Sequence, residues 1–357
     1  MDVRWLDLDF YKGKKVLVTG HTGFKGSWLC KILAYAGAQI VGYSNGYPTE
    51  PSLFKIANLE NEVTFIEGDI RNYDLLKSVF QKYNPEIVFH LAAQPIVIES
   101  YRNPLYTYET NVMGTANILE CIRKTDTVRS FLNITTDKVY KNNEWVWGYR
   151  ESEELNGHDP YSNSKSCSEL VTHSYKESFF ADKEVAISTA RAGNVIGGGD
   201  FAPDRIIPDC IRAVKDKKKI LVRNPYSTRP YQHVLEPIMA YLMIAEKQYQ
   251  EKKYAGSYNV GPDERDCVTT EQLVDLFCEK WGDGAAWEEM HGEKKYHEAN
   301  FLKLDCSKLK SVFGWSPRWS IEECMEKICE WNKAWLNNDD IGNIMEKQII
   351  NFLGGID

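Results

Sequence analysis

The sequence predicts an α/β protein built on a doubly wound parallel sheet, with a smaller mixed α/β region toward the C-terminus. Three observations carry this. Short apolar runs alternate with helical-period segments through the first half of the chain, the pattern of parallel βαβ units. The first run, KVLVT, ends in a glycine-rich turn that opens a helix. Past Asn194 the texture changes: GGGDFAPDRIIPD is rich in Gly, Pro and Asp and reads as loop.

In chain order, strands are expected at 15–19, 39–43, 63–67, 85–91, 130–135 and 185–191. Helices are expected at 26–36, where Trp28, Leu29, Ile32 and Leu33 share a face, and at 74–82, 106–124 and 161–179. Residues 1–195 then form a nucleotide-binding unit, rejoined by about 230–260. Residues 196–229 and 261–357 supply mainly a substrate region. Ligands of such sheets bind at the carboxyl ends of the strands.

Composition bounds the function. The 357 residues suit two domains or one large α/β unit, and 51 acidic against 43 basic residues give a net charge of −8. A chain with 12% aromatic residues is not disordered. Its mild acidity argues against a nucleic-acid binder, though a few local arginines suffice for a small anion. The start has no apolar run of signal-peptide length, and runs such as EIVFHLAA fall far short of the ~20 residues that span a bilayer. Nine Cys without a CxxC and seven dispersed His without an HExxH read as free thiols and packed histidines. A cytoplasmic protein without a metal site is expected. The run 215–219 (KDKKK) reads as a solvated helix end.

Gly20, Gly23 and Gly26 give GxxGxxG between strand and helix. This pattern allows a tight turn, close backbone approach to a pyrophosphate, and close helix–strand packing, with the helix N-terminus facing the phosphates. An acidic residue normally follows the second strand to hold the ribose 2′-OH. Here the stretch is GYSNGYPTE, with Tyr43, Ser44 and Asn45 neutral and no adjacent Arg for a 2′-phosphate. The balance favours NAD over NADP.

Two later segments carry chemistry. In DPYSNSKS, Tyr161 and Lys165 stand four apart, one turn on a helix. A nearby ammonium favours the phenolate, so a lowered tyrosine pKa and a base usable near neutral pH are expected. In ITTDKVY, Thr136 lies at a strand end where it can bond the same substrate oxygen.

Together with EGDIR, HLAAQ, ETNVMGT and ARAGNVIG, these motifs resemble the extended short-chain dehydrogenase/reductases, in the group that modifies sugar nucleotides. The resemblance covers about residues 10–335 and implies a Rossmann-like fold. GHTGFKGSWL, PTEPSLF, EWVWGYRESEELNGHDP, RPYQHVLEP and HEANFLKLDCSK narrow it to the 4,6-dehydratases, in the branch acting on CDP-linked glucose. GWSPRWSIEE fits the group's closing pattern. The resemblance implies a redox-neutral sequence: oxidation at C4, loss of water across C5–C6, and hydride return to C6.

It also implies roles. Thr136, Tyr161 and Lys165 serve the oxidation. Asp137 is the acid at the C6 hydroxyl, provided burial raises its pKa. Lys138 is either the C5 base or an ammonium that stabilises the enolate. Gly20, Gly23, Phe24, Lys25 and Gly26 meet the pyrophosphate. Asp69 and Ile70 bracket the adenine, and Ala92, Ala93 and Gln94 line the nicotinamide side. Asn111 either orders the active site or merely caps a helix. Asn194, Arg205 and Arg229 face the nucleotide part of the substrate, Arg229 the stronger choice, since a planar fork suits a diphosphate. His233 reads as a core histidine. A homodimer is expected through helices 106–124 and 161–179, with a tetramer open.

Two other readings compete with this one. An epimerase, simple dehydrogenase or dehydratase of a dTDP-, UDP- or GDP-hexose shares Thr, Tyr and Lys, but an epimerase or dehydrogenase needs no Asp137–Lys138 pair. A non-catalytic dinucleotide-binding regulator would not need Thr136, Asp137, Tyr161 and Lys165 together.

Overall fold

A computed structural model of the chain describes residues 6–290 and 301–354. Its centre is a seven-stranded parallel sheet: β1 (Lys15–Thr19), β2 (Gln39–Ser44), β3 (Thr64–Glu67), β4 (Ile87–His90), β5 (Ser130–Thr135), β6 (Ala186–Ala192) and β7 (Ser257–Val260). The spatial order is β7-β6-β5-β4-β1-β2-β3. The order reverses between β1 and β4, so a crevice opens at their carboxyl ends.

All strands but the edge strand β3 are buried on both faces, and alternation sorts their side chains. Val16, Val18, Ile87, Phe89, Leu132 and Ile134 point into one core with α1 (Phe24–Tyr35), whose Trp28, Leu29, Ile32 and Leu33 are fully buried. Leu17, Val88 and Phe131 point into the opposite core, with α2 (Tyr73–Tyr83) and α3 (Gly114–Arg123). A third cluster joins helices Ile206–Lys215, Thr270–Trp281 and Ile321–Leu336. Segment GWSPRWSIEE ends in a capping box, Ser320 with Glu323, that starts the last of these helices.

The six expected strands are present, with ends shifted by one or two residues. Val63, Pro85, Glu86, Leu91 and Val185 fall outside them. The seventh strand, β7, pairs with β6 and had no counterpart in the sequence reading. The helix expected at 106–124 is a composite: Pro104–Tyr108, one π turn at Glu109–Met113, then α3. α4 (Pro160–Phe179) matches its expectation within a residue, with Asp159 capping it through Ser162 N and Pro160 at its first position. α5 (Leu235–Gln250) packs on β5 and β6 just before β7. In HEANFLKLDCSK, residues 297–300 lie outside the described residues. Among the described residues no helix is long and apolar enough to cross a membrane.

Candidate active site

The glycine turn leaves no room for side chains at two of its three positions. Gly20 has φ +72°, and a Cβ there would stand 2.7 Å from Ala92 N. A Cβ at Gly26 would stand 2.2 Å from Gly20 O. The backbones of β1, the 91–92 loop and α1 can meet this closely only through glycine. Gly23 is the N-cap of α1 and offers no side-chain cap. The first N–H groups of a twelve-residue helix therefore point out of the strand end without a side-chain acceptor. Glycine cradle and uncapped helix together fit a pyrophosphate.

At the carboxyl end of β2, Ser44 Oγ lies 2.8 Å from His21 Nδ1, which occupies it within the protein. Asn45 Nδ2 reaches Asp69 Oδ2 at 3.5 Å. An arginine is present after all, brought by the fold from the next strand end. Arg71 is paired with Asp69 at 2.8 Å and Glu109 at 3.0 Å, so two carboxylates surround its single positive charge. Ile70 packs against Gly114, where a Cβ would stand 2.6 Å from Ile70 Cγ2.

After β4, Ala92 N donates to Thr19 Oγ1 at 3.2 Å, and Ala93 follows in the same loop. Gln94 is buried with both ends of its amide occupied, by Thr107 Oγ1 and Ile96 N. Asn111 is not a helix cap. It sits within the π turn and accepts from Gln94 N at 2.8 Å. It also donates to Gln94 O at 3.1 Å and to Ser164 Oγ at 2.9 Å. It thereby ties the 92–94 loop to α4, and π turns recur at such functional positions.

Thr136, Asp137 and Lys138 follow β5 in one turn of 3₁₀ helix. Thr136 Oγ1 donates to Asp137 Oδ1 at 2.9 Å and receives Lys138 N at 3.4 Å. Asp137 is 1% exposed, and its Oδ2 has no hydrogen-bond partner among the described residues. Lys138 is half-buried.

Tyr161 and Lys165 lie on one face of α4, both buried. Lys165 Nζ donates to Ile134 O at 3.1 Å, and burial pulls its ammonium down to about 8, opposed by Glu169. The expected lowering of the Tyr161 pKa is not found. Burial pushes the phenol up to about 12; a hydrogen bond with Thr136 pulls the other way without reversing it. Desolvation outweighs every attraction available inside the protein alone.

Lys25 is expected at the pyrophosphate. Its ammonium is pulled down to about 7 by burial, then by Lys165 and Arg205, while Asp137 and Asp200 oppose the shift. Its electrostatic neighbours are thus the groups around Tyr161. Arg205 pairs with the buried Asp200 at 2.8 Å and acts on Tyr161. Arg229 is buried and donates to Thr228 O at 3.1 Å. Asn194 adopts φ +31°, and its carbonyl receives Gln232 N at 3.3 Å. His233 is a packed core residue: burial pulls it down to about 3, and its ring meets the edges or faces of Trp28 and Trp319.

The sequence reading missed three residues that shape the site. Gly193 fronts Asp137, where a Cβ would stand 2.1 Å from Oδ2. Asp200 holds Arg205. Glu169 stands one turn beyond Lys165, and continuing the four-residue step from Tyr161 would have found it.

A parallel sheet reversing at a glycine cradle, with Thr, Tyr and Lys converging beside it, defines an extended short-chain dehydrogenase/reductase. The chain belongs to the GDP-mannose 4,6 dehydratase family, whose model matches residues 17–328. It is 47% identical, over 98% of both chains, to CDP-glucose 4,6-dehydratase of Salmonella typhimurium. It is 26% identical to CDP-paratose 2-epimerase of Salmonella typhi, over 90% of this chain and 99% of that protein. Among solved structures, dTDP-glucose 4,6-dehydratase of Bacillus anthracis in complex with NAD has the same fold. Its TM-score is 0.75 at 20% identity, over 90% of this chain and 97% of that one. UDP-glucose 4-epimerase of Thermotoga maritima gives 0.79 at 24%, over 90% and 99%.

Proposed function

We propose that the chain is an NAD-dependent 4,6-dehydratase that converts CDP-glucose to CDP-4-dehydro-6-deoxyglucose and water. The observation that carries the reading is Asp137, a buried carboxyl with one oxygen left free, next to Thr136 and on the tyrosine side of the crevice. An epimerase or simple dehydrogenase has no use for an acid there. The full-length likeness to the Salmonella enzyme supports both the reaction and the CDP-glucose substrate.

Gly20, Gly23, Phe24 and Gly26 hold the cofactor pyrophosphate against the start of α1. The Asp69–Arg71–Glu109 cluster beside β2 is net negative, which suits a free ribose hydroxyl better than a 2′-phosphate. NAD⁺, held at this cradle, would supply the hydride acceptor for C4 and the hydride donor for C6. Tyr161 takes the O4 proton, with Thr136 bonded to the same oxygen. Lys165 supplies positive charge beside the phenol. Asp137 gives a proton to the departing C6 hydroxyl. Lys138 serves C5, as base or as the cation beside the enolate. Arg205 and Arg229 meet the diphosphate of the substrate, and Asn194 its nucleotide part. Residues 196–229 and 261–357 supply most of that side. Leu105, Met113 and Leu170 are 78, 55 and 51% exposed on the helices around Asn111 and Tyr161, which supports a homodimer through this face. The setting is cytoplasmic.

Incubation with NAD⁺ and CDP-, dTDP-, UDP- or GDP-linked hexoses tests the reading, the 4-keto product being followed by its absorbance in alkali. Product from CDP-glucose is expected; none from CDP-glucose would sink the proposal.

A further inference from the structure

Glu169 is 2% exposed, and both of its oxygens are engaged within the protein. Oε1 accepts from Thr135 Oγ1 at 2.5 Å and from Arg191 Nε at 3.0 Å. Oε2 accepts from Thr189 Oγ1 at 2.7 Å and from Arg191 Nη2 at 2.9 Å. The remaining nitrogen of the guanidinium, Nη1, donates to Tyr140 OH at 2.7 Å and Glu151 O at 3.0 Å. Tyr140 OH in turn donates to Asn259 Oδ1 on β7 at 2.6 Å.

The placement of these bonds matters more than their number. Thr135 directly precedes the turn that carries Thr136, Asp137 and Lys138, and Tyr140 directly follows it. Both ends of the turn are therefore held by one ion pair. Thr135 and Arg191 are register partners on adjacent strands, so the pair spans the sheet where β5 ends. Glu169 sits on α4, one turn beyond Lys165, whose ammonium grips Ile134 O. A buried ion pair by itself adds little to stability compared with apolar packing. What this one adds is geometry.

We propose that Glu169 is a positioning residue: through Arg191, Thr135 and Tyr140 it fixes both ends of the 136–139 turn against the helix that carries Tyr161 and Lys165. The inference rests on the dehydratase reading for its kinetic consequences, and on the hydrogen bonds alone for its structural ones. A second effect follows from the same placement. Lys165 is faced by the ammonium of Lys25 from α1 and by His90 from β4, which burial keeps neutral at about 3. Glu169 is the anion that offsets burial at Lys165.

Two variants test this. Glu169→Gln keeps shape and removes charge; Tyr140→Phe keeps charge and releases one end of the turn. Both are expected to lower kcat by about tenfold or more, because the reacting groups lose alignment, with KM for CDP-glucose close to wild type. In Glu169→Gln the high-pH limb of kcat moves to lower pH, since Lys165 loses its proton sooner. In Tyr140→Phe the limb stays. Hydrogen exchange of the amides at 136–140 speeds up in both while β1 and β4 keep their protection. A folded Glu169→Gln protein with wild-type kcat, limb and exchange overturns the proposal. If Glu169→Gln does not fold, wild-type kcat and exchange in Tyr140→Phe overturn it. If the unmodified protein turns over no nucleotide sugar, the dehydratase reading fails, and the exchange data alone still decide the clamp.

Discussion

Replacing Gly193 with Ala tests whether the position of the Asp137 carboxyl governs elimination. Gly193 is not in a left-handed conformation, so alanine adds no backbone strain. Its Cβ would stand 2.1 Å from Asp137 Oδ2, 2.5 Å from Cγ and 3.0 Å from Cβ. Non-bonded heavy atoms are comfortable near about 3.5 Å, so the carboxyl must retreat by about 1 Å or more. Rotation about the short side chain relieves the contacts to Oδ2 and Cγ, a small backbone shift must relieve the one to Cβ, and overpacking of this kind costs the fold about 1–3 kcal/mol. Rotation also breaks the 2.9 Å bond from Thr136 Oγ1. A misplacement of about 1 Å costs on the order of 10²-fold in rate. The expected protein therefore melts a few degrees below wild type and still reduces NAD⁺ when CDP-glucose is added. It forms 4-keto-6-deoxy product about 10²-fold more slowly. Absorbance of the reduced cofactor and of the product in alkali separates the two steps. Product formation close to the wild-type rate would refute the argument that Gly193 places the acid.

Two further outcomes follow from the same geometry. Lys138→Ala is expected to abolish elimination while leaving partial reduction of bound NAD⁺ visible by absorbance; if reduction vanishes equally, Lys138 serves the first hydride transfer or cofactor binding. Glu236, 2% exposed at the start of α5, is pushed up to about 7 by burial, opposed by the backbone N–H groups of Trp319 and Arg318. A carboxyl raised in this way stabilises the fold at low pH, and that contribution is lost as pH rises through about 7. The span from 4.5 to about 7 amounts to on the order of 3 kcal/mol. Glu236→Gln should therefore raise the melting temperature at about pH 8.5 more than at about pH 5.5, and equal shifts at both would count against it.

The parts of the fold that follow a local period were legible in the sequence. Val16 to Val18 alternate across the sheet, and Tyr161 to Lys165 step along one helix face, because strand and helix impose those repeats. β7 was not legible. Four residues, SYNV, become a strand only because β6 is waiting beside them after a separation of more than sixty residues in the chain. The π turn at Asn111 was hidden for a related reason: it is fixed by bonds to Gln94 and Ser164, which come from other elements. The site divides in the same way. The glycine turn and the Thr136–Lys138 and Tyr161–Lys165 motifs could be read directly. The charge state of Tyr161 could not, because burial is a property of the folded whole. Arg71 escaped notice since the fold, not the chain, sets it beside Asn45.

Asn259 joins two parts of the molecule that the sequence separates. Its side chain accepts a hydrogen bond from Tyr140 OH at the end of the catalytic turn and donates to the carbonyls of Tyr149 and Asp305. A chimera that exchanged everything after residue 195 with a relative would replace Asn259 and keep Tyr140, setting a foreign strand beside β6. A graft that retains 235–260 from the parent keeps Asn259 beside Tyr140 and β7 beside β6. The 136–139 turn is thus braced by residues far apart in the chain and adjacent in space.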